Sequence, residues 1–173
     1  RSYSVTGVQT CALPIYTSPH ICDVRERITI NGDMISQAAL TRLICQVEPI
    51  IEKMADKPTF FEIFTALAFV HFAAMGVDIA VIETGLGGRL DSTNVLKPEV
   101  CGITSLSMDH MHQLGDTLEK ITAEKAGIFK PNIPAVSVMQ TPEAERVLKR
   151  CARETGNPLL FAGRDIEFSY RVE

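Results

Sequence analysis

The possible folds of this chain are limited above all by a short, mostly apolar run rich in β-branched residues, Val77–Glu83 (VDIAVIE). Such a run is typical of a strand that is buried on both faces of a parallel sheet. Similar short runs follow at Val100–Leu106, Pro134–Met139 and Leu159–Ala162. Parallel strands need long connections, which are usually helices. The runs therefore predict an α/β fold with a mainly parallel sheet flanked by helices.

Helical patterns lie before and between these strands. Ser36–Ala55 has apolar residues at the i, i+3, i+4, i+7 spacing of an amphipathic helix, and its first residue is a suitable N-cap. Pro49 is expected to kink or interrupt this helix. Two further helices are predicted, one over Asp116–Ile128 and one over Thr141–Gly156, where a proline follows the N-cap threonine.

Another helix is predicted from Thr59 to Met75, because Thr59 and Glu62 fit a capping box. The longest run of the chain without a charged residue, Ile63–Val77, overlaps this helix and is shorter than the roughly 20 apolar residues of a membrane-spanning helix. This segment therefore predicts a buried core helix. His71 within it is expected to be a core or boundary histidine and not a ligand.

The composition excludes several classes of protein. The length of 173 residues is that of one domain. The composition, 46% apolar and 22% charged, is typical of a folded domain and not of a disordered segment. Its formal charge of −4 argues against a nucleic-acid binder, and no membrane span is predicted. The cysteines form no C-x-x-C pair, which predicts reduced thiols in a cytoplasmic protein. They are Cys11, Cys22, Cys45, Cys101 and Cys151.

Both ends of the sequence suggest a fragment that is truncated at each end. Arg1–Ile15 (RSYSVTGVQTCALPI) has neither periodicity nor the pattern of a signal peptide. It resembles translated sequencing-adapter DNA, so we expect residues 1–15 to be non-native and not to pack on the domain. Residues 16–173 are expected to form one partial domain, which stops within a predicted strand at Phe168–Glu173.

Polar residues follow two of the predicted strands. Glu83 closes the first strand and leads into a glycine-rich loop, Gly85–Asn94, and Asp109-His110 follows the second strand. Parallel α/β sheets bind ligands at the carboxyl ends of their strands. Glu83 and His110 can therefore face one crevice if the two strands are near neighbours. A carboxylate, an imidazole and phosphate oxygens would suit Mg²⁺ beside a nucleotide.

Each of these features has a simpler explanation. The glycines can form an ordinary tight turn, Asp109-His110 a cap or surface pair, and Lys125 a solvated lysine. The strand and glycine loop also resemble the nucleotide-binding turn of a methyltransferase or dehydrogenase. That Rossmann-like turn needs a small residue at Leu90 and a helix that starts in the loop. A non-catalytic α/β binding module stays open as well, because a fold alone does not determine activity.

Several motifs occur together along the chain. In order, they are Thr17-Ser18-Pro19-His20, Glu26-Arg27-Ile28 with Asn31-Gly32, Phe61-Glu62, the run from Glu83 to Asn94 (ETGLGGRLDSTN), Asp109-His110 with Leu114-Gly115, and Glu124–Ile128 (EKAGI). From Tyr16 to the C-terminus the chain resembles the folylpolyglutamate synthase/dihydrofolate synthase family, a branch of the Mur ligase superfamily.

The resemblance implies the central domain of a Mur ligase, with a P-loop-type α/β fold. It implies an ATP-dependent ligase that adds L-glutamate to dihydropteroate or a folate through an acyl phosphate, with Mg²⁺ as cofactor, in a full-length protein that is a monomer. The chain contains no G-x-x-x-x-G-K-[ST] phosphate-binding loop. The C-terminal domain of the family is also missing, so we expect this chain to be inactive alone.

The resemblance also assigns roles to individual residues. It implies that Ser18, Glu83 and His110 are Mg²⁺ ligands. It places His110 and Lys125 in catalysis, with Lys125 carbamylated by CO₂ so that it becomes an oxygen ligand for a second Mg²⁺. The implied pterin-site residues are Thr59, Leu90, Asp91 and Ser92. The Asp91 carboxylate could accept hydrogen bonds from the pterin ring.

Overall fold

The structure is a computed structural model that describes residues 14–167. It divides the chain into two compact units, of which unit 1 ends at Gly85 and unit 2 begins at Leu86. The division falls inside the glycine-rich loop. Each unit has its own hydrophobic core within the span for which the sequence predicted one partial domain.

Among the residues of unit 1 that the structure describes, 14–85, there are a four-stranded sheet and two α-helices. The strands are β1 (Ile15–Tyr16), β2 (Ile28–Ile30), β3 (Asp33–Met34) and β4 (Val81–Ile82), in the spatial order β3-β2-β1-β4. β1 pairs parallel with β4 and antiparallel with β2, and β2 pairs antiparallel with β3. The helices are α1 (Gln37–Lys53) and α2 (Phe60–Met75). The sheet and both helices contribute to one core, which includes Tyr16, Ile28, Leu43 and Leu67.

The first helix, α1, begins where its sequence predicts. The Ser36 hydroxyl accepts a hydrogen bond from the Ala39 N–H (3.1 Å), which confirms the N-cap. The helix continues through Pro49 to Lys53. The proline therefore does not interrupt the helix.

The second helix, α2, is capped at both ends. Thr59 and Glu62 form the predicted capping box, and Gly76 ends the helix with a left-handed φ of 64°. His71 is half-buried on this helix, which confirms its assignment as a boundary residue.

The sequence analysis missed the hairpin formed by β2 and β3. Its turn residues, Asn31 and Gly32, have φ angles of 54° and 84°. Two consecutive positive φ angles give a turn whose twist matches that of a two-stranded hairpin, and Asn-Gly is the strongest short signal for such a turn. The signal was present in the sequence, but strands of two and three residues are too short to show alternation.

Pro14 and Ile15 contact the sheet, contrary to the expectation that residues 1–15 do not pack on the domain. Ile15 pairs with Thr29 and Val81, and the Pro14 carbonyl accepts a hydrogen bond from the Val81 N–H (2.8 Å). The sheet holds these residues through their backbone groups, which pair without any side-chain periodicity. Residues 1–13, on which the rest of this prediction falls, lie outside the described residues.

The described part of unit 2, residues 86–167, contains three parallel strands and three α-helices. The strands are β5 (Cys101–Ile103), β6 (Ala135–Ser137) and β7 (Leu159–Phe161), in the order β5-β6-β7. The helices are α3 (Met111–Leu114), α4 (Leu118–Ala126) and α5 (Pro142–Thr155). Thr141 caps α5 and Gly156 ends it, as predicted. The core of this unit includes Ile103, Phe129, Leu148 and Phe161.

The predicted α/β class with a mainly parallel sheet is confirmed, although the strands are shorter than expected. Val77–Glu83 contributes only the two residues of β4, because its pairing with β1 is limited to Ile15–Val81 and Tyr16–Ile82. The strand predicted at Phe168–Glu173 lies outside the described residues. Across residues 14–167, every helix is too short or too polar to cross a membrane.

Candidate functional site

Glu83 lies directly after β4, at the carboxyl end of that strand. Its backbone N–H donates to the Tyr16 carbonyl (2.9 Å) and continues the contact between β4 and β1. Its carboxylate Oε2 accepts hydrogen bonds from the Ser18 N–H (3.1 Å) and from the Thr17 hydroxyl. The structure thus brings together two of the predicted Mg²⁺ ligands, Ser18 and Glu83.

The Glu83 carboxylate is suited to binding a cation. The residue is exposed, and the hydrogen bonds from described residues all reach Oε2, so Oε1 stays available. Mg²⁺ prefers oxygen ligands and is usually bound by one or two carboxylates together with waters and phosphates. Within residues 14–167, no three His, Cys, Asp or Glu side chains are grouped so as to hold a metal ion.

His110, the third predicted Mg²⁺ ligand, lies in unit 2 as the exposed residue before α3. Its φ of 51° and ψ of 39° lie in the left-handed region, which costs roughly 1–3 kcal/mol for a residue other than glycine. Such strain is concentrated at functional sites. Asp109 Oδ1 accepts a hydrogen bond from the His110 N–H (2.7 Å), and Oδ2 lies 3.5 Å from the imidazole Nε2.

The strands before Glu83 and His110 belong to different sheets. Among the described residues, β4 pairs with β1 and β5 pairs with β6. The expectation that Glu83 and His110 face one crevice stays a prediction.

The buried carboxylate of Asp91 shapes the glycine-rich loop. Oδ1 accepts hydrogen bonds from the Thr93 N–H (2.9 Å) and hydroxyl (2.5 Å), and Oδ2 accepts one from the Leu86 N–H (2.9 Å). These hydrogen bonds cap a short 3-10 turn, Ser92–Val95. Residues 85–95 start no α-helix. The Rossmann-like alternative is therefore disfavoured, because its phosphate-binding turn opens a helix.

The same loop packs against the C-terminal end of α4. A Cβ at Gly88 would lie 2.6 Å from the Lys125 carbonyl oxygen, and one at Gly127 would lie 2.4 Å from the Arg89 Cβ. Only glycine permits so close an approach. The Arg89 guanidinium also donates two hydrogen bonds to the Glu124 carboxylate, one from Nη2 to Oε1 (2.8 Å) and one from Nε to Oε2 (3.2 Å). The loop and the end of α4 therefore form one packed element.

Lys125 lies on α4 at this contact and is half-buried. Its Nζ makes no hydrogen bond or ion pair with any residue in the part of the chain that the structure describes. Lys125 is thus less exposed than a lysine on an open surface, and its role stays a prediction. The amine stays available to a further partner.

The four predicted pterin-site residues are divided between the units. In unit 1, the Thr59 hydroxyl accepts a hydrogen bond from the Glu62 N–H (3.2 Å) and donates one to the Glu62 carboxylate (2.8 Å). In unit 2, Leu90 is 81% exposed and precedes Asp91 and Ser92. An exposed leucine on a loop fixed by hydrogen bonds is an apolar contact that a ligand can use.

The sequence analysis gave no role to Glu26 and Arg27, which form a hydrogen-bonded network with the segment after β1. The pattern Asp23-x-x-Glu26 is the signal that could have found part of it. Asp23 and Glu26 form a complete capping box around the 3-10 turn Val24–Arg27.

Comparison with known proteins adds independent findings. Residues 32–170 match the Mur ligase middle domain family. A folylpolyglutamate synthase from Arabidopsis thaliana is 50% identical over 150 residues, which are 84% of this chain and 24% of the plant protein. The dihydrofolate synthase/folylpolyglutamate synthase of Bacillus subtilis is 46% identical over 148 residues, which are 83% of this chain and 34% of the bacterial protein.

A solved structure is also similar. The complex of a folylpolyglutamate synthase with AMPPCP and folate has a TM-score of 0.83 and 40% identity, over 88% of this chain and 38% of that one. The chain thus spans about a quarter to a third of the length of the curated relatives it matches.

Proposed function

This chain belongs to the Mur ligase family, and on that basis we propose that it is the central part of an ATP-dependent ligase that adds L-glutamate to dihydropteroate or a folate. The relatives that support the proposal are folylpolyglutamate synthases, one of them solved with an ATP analogue and folate. Because the chain spans about a quarter to a third of the curated relatives, the activity is proposed for the full-length protein.

The observation that carries the proposal is the contact between Ser18 and Glu83 at the carboxyl end of β4. Parallel α/β sheets bind ligands at this end of their strands. Ser18 and Glu83 would hold Mg²⁺, which when bound neutralises negative charge on the phosphate oxygens of ATP. The role of His110 as a further ligand stays a prediction.

In the proposed reaction, the folate carboxylate attacks the γ-phosphorus of ATP, and ADP leaves. The product is an acyl phosphate. The amine of glutamate then attacks the acyl carbon, so that the amide bond forms and phosphate leaves with loss of a proton from nitrogen. Thr17 and Ser18 orient the Glu83 carboxylate through their hydrogen bonds, and this orientation is the contribution that unit 1 makes to phosphoryl transfer.

Residues of unit 2 have two proposed roles. Leu90 would contact the pterin ring. The Asp91 carboxylate accepts hydrogen bonds within the loop and would fix the conformation in which the loop presents Leu90 and Ser92. Lys125 would react with CO₂: a bond forms between Nζ and carbon, a proton leaves the nitrogen, and a negatively charged carbamate results. Lys125 is a half-buried residue whose amine has no partner among residues 14–167, which supports this assignment.

The test is a Glu83→Gln substitution in the full-length protein. It keeps the shape of the side chain and removes its charge. We expect the variant to fold and its ligation rate to fall at least ~100-fold, the scale for loss of a group that stabilises developing charge. The measurement is ADP release with dihydropteroate or tetrahydrofolate, in the presence and absence of glutamate.

The matched control is Glu145→Gln on α5, which removes ion pairs with Lys149 and Arg164 and is expected to leave the rate unchanged. Equal rates in the two variants would contradict the role of Glu83. A full-length wild-type protein without glutamate-dependent turnover would contradict the proposed function itself.

A further inference from the structure

A further inference, which rests on the proposed function, concerns residues 17–23, here called the Ser18 loop. The loop connects β1 to the 3-10 turn before β2. The Thr17 N–H donates to the Arg27 carbonyl (3.1 Å) and closes the loop at its base. The next residue, Ser18, is tied to Glu83 through its own N–H. Residues 20–23 are held by hydrogen bonds to two side chains that follow the loop in sequence, Glu26 and Arg27.

Glu26 holds the second half of the Ser18 loop. Its Oε2 accepts a hydrogen bond from the Ile21 N–H (2.8 Å), and its Oε1 accepts hydrogen bonds from the N–H groups of Cys22 (2.9 Å) and Asp23 (2.7 Å). Three backbone donors favour the charged carboxylate and hold the pKa of Glu26 below its ordinary value of 4.5. The carboxylate in turn fixes three consecutive peptide groups.

Arg27 holds the middle of the loop. Its guanidinium belongs to a residue only 8% exposed, and its Nε donates to the His20 Nδ1 (2.9 Å). The guanidinium carbon also lies 5.4 Å from the centroid of the Phe60 ring. Phe60 is the first residue of α2, so Arg27 connects the loop to a helix whose N-terminus is itself fixed by a capping box.

We propose that Glu26 and Arg27 are positioning residues for the cation site, which keep the Ser18 loop in the conformation that places Ser18 beside Glu83. Neither side chain hydrogen-bonds Glu83 within the described structure. Both act through the loop. Each described loop residue except Pro19 makes a hydrogen bond through its backbone N–H or its side chain. Supporting residues of this kind typically contribute 10–100-fold, roughly, to metal affinity.

The first measurement is amide hydrogen exchange in the full-length protein carrying Glu26→Gln. A carboxamide has a single acceptor oxygen and an NH₂ donor, so it cannot accept all three backbone hydrogen bonds. We expect the amides of Ile21, Cys22 and Asp23 to exchange at least ~10-fold faster. Ser36→Ala is the control, because it removes the N-cap of α1 in the same unit and leaves the Ser18 loop intact.

The second measurement is binding of Mn²⁺, which substitutes for Mg²⁺ and is visible by electron paramagnetic resonance. We expect Glu26→Gln to raise the Mn²⁺ Kd at least ~10-fold and Ser36→Ala to leave it unchanged. Glu26→Asp keeps the charge but is one methylene shorter. If Glu26→Gln does not fold, Glu26→Asp replaces it, and we expect the same rise in the Mn²⁺ Kd because the shorter side chain cannot reach the same backbone N–H groups.

The outcomes separate the inference from the proposed function. Unchanged amide exchange in the Ser18 loop of Glu26→Gln would overturn the positioning role, and so would faster exchange with an unchanged Mn²⁺ Kd. In both cases ligation and Mn²⁺ binding by the wild-type protein would leave the proposed function intact. A wild-type protein that neither binds Mn²⁺ nor ligates glutamate would overturn the proposed function, and the inference with it.

Discussion

His71 lies half-buried on α2, with its ring centroid 6.3 Å from that of Phe72. Burial disfavours the charged imidazolium and lowers the pKa of His71 below its ordinary value of 6.5. In the unfolded chain the imidazole binds a proton more readily. As the pH falls below 6.5, the unfolded chain gains a proton at His71 before the folded protein does, so the free energy of unfolding decreases. The decrease is complete once the pH is below the lower pKa that His71 has in the folded protein.

A His71→Gln substitution should remove this dependence on pH. We expect the free energy of unfolding of the wild-type protein to fall more than that of the variant between about pH 7.5 and about pH 5. The measurement is urea denaturation of the full-length protein across this range. His112→Gln, an exposed position on α3, should keep the wild-type profile. Identical profiles for wild type and His71→Gln would refute the assignment.

The packing of the glycine-rich loop against the end of α4 depends on residue size. Besides the Arg89–Glu124 ion pair, the Asn94 side chain donates to the Arg89 and Gly127 carbonyls (3.0 Å each). These contacts join the loop that carries Leu90 to the helix that carries Lys125. Disturbing the packing should therefore affect both predicted functional residues at once.

Gly88→Ala tests this packing. The added methyl group would meet the backbone oxygens of Lys125 and Glu124 at 2.6 and 2.8 Å, so we expect a loss of about 1–3 kcal/mol in local stability. Native-state hydrogen exchange over α4 in the full-length protein measures this loss. The control is Gly102→Ala in β5, where the methyl group has no neighbour within 4 Å and the change should cost nothing. Equal exchange in the two variants would show that the close approach is unimportant.

At the scale of the whole molecule, the 173-residue chain lacks a recognisable phosphate-binding loop and spans about a quarter to a third of its curated relatives. Backbone N–H groups and a lysine of such a loop normally hold the β- and γ-phosphates. We therefore expect the isolated 173-residue chain to show no ATP-dependent glutamate ligation. ADP release is measured as for the full-length protein, which serves as the positive control. Turnover above the enzyme-free background would contradict this expectation.

Local patterns in the sequence were sufficient for the fold class and for several of the helix ends. The capping box at Thr59, the N-caps at Ser36 and Thr141, and the glycine stop at Gly156 all lie within a few residues of the groups they satisfy. The motifs that identify the family are also read directly from the order of residues. Interactions between neighbours along the chain need no knowledge of its path, and they are therefore predictable.

The tertiary structure decided what depends on residues far apart in the chain. It drew Ile15 into the sheet, joined Ser18 to Glu83, and closed the glycine loop against α4 through Arg89 and Glu124. The two residues in each of these contacts are 35 or more positions apart in the sequence. The antiparallel pairing of Ile15 is the exception. A hydrogen-bonding or charged group pairs with whichever partner the fold brings near it, and no local pattern records where that partner lies.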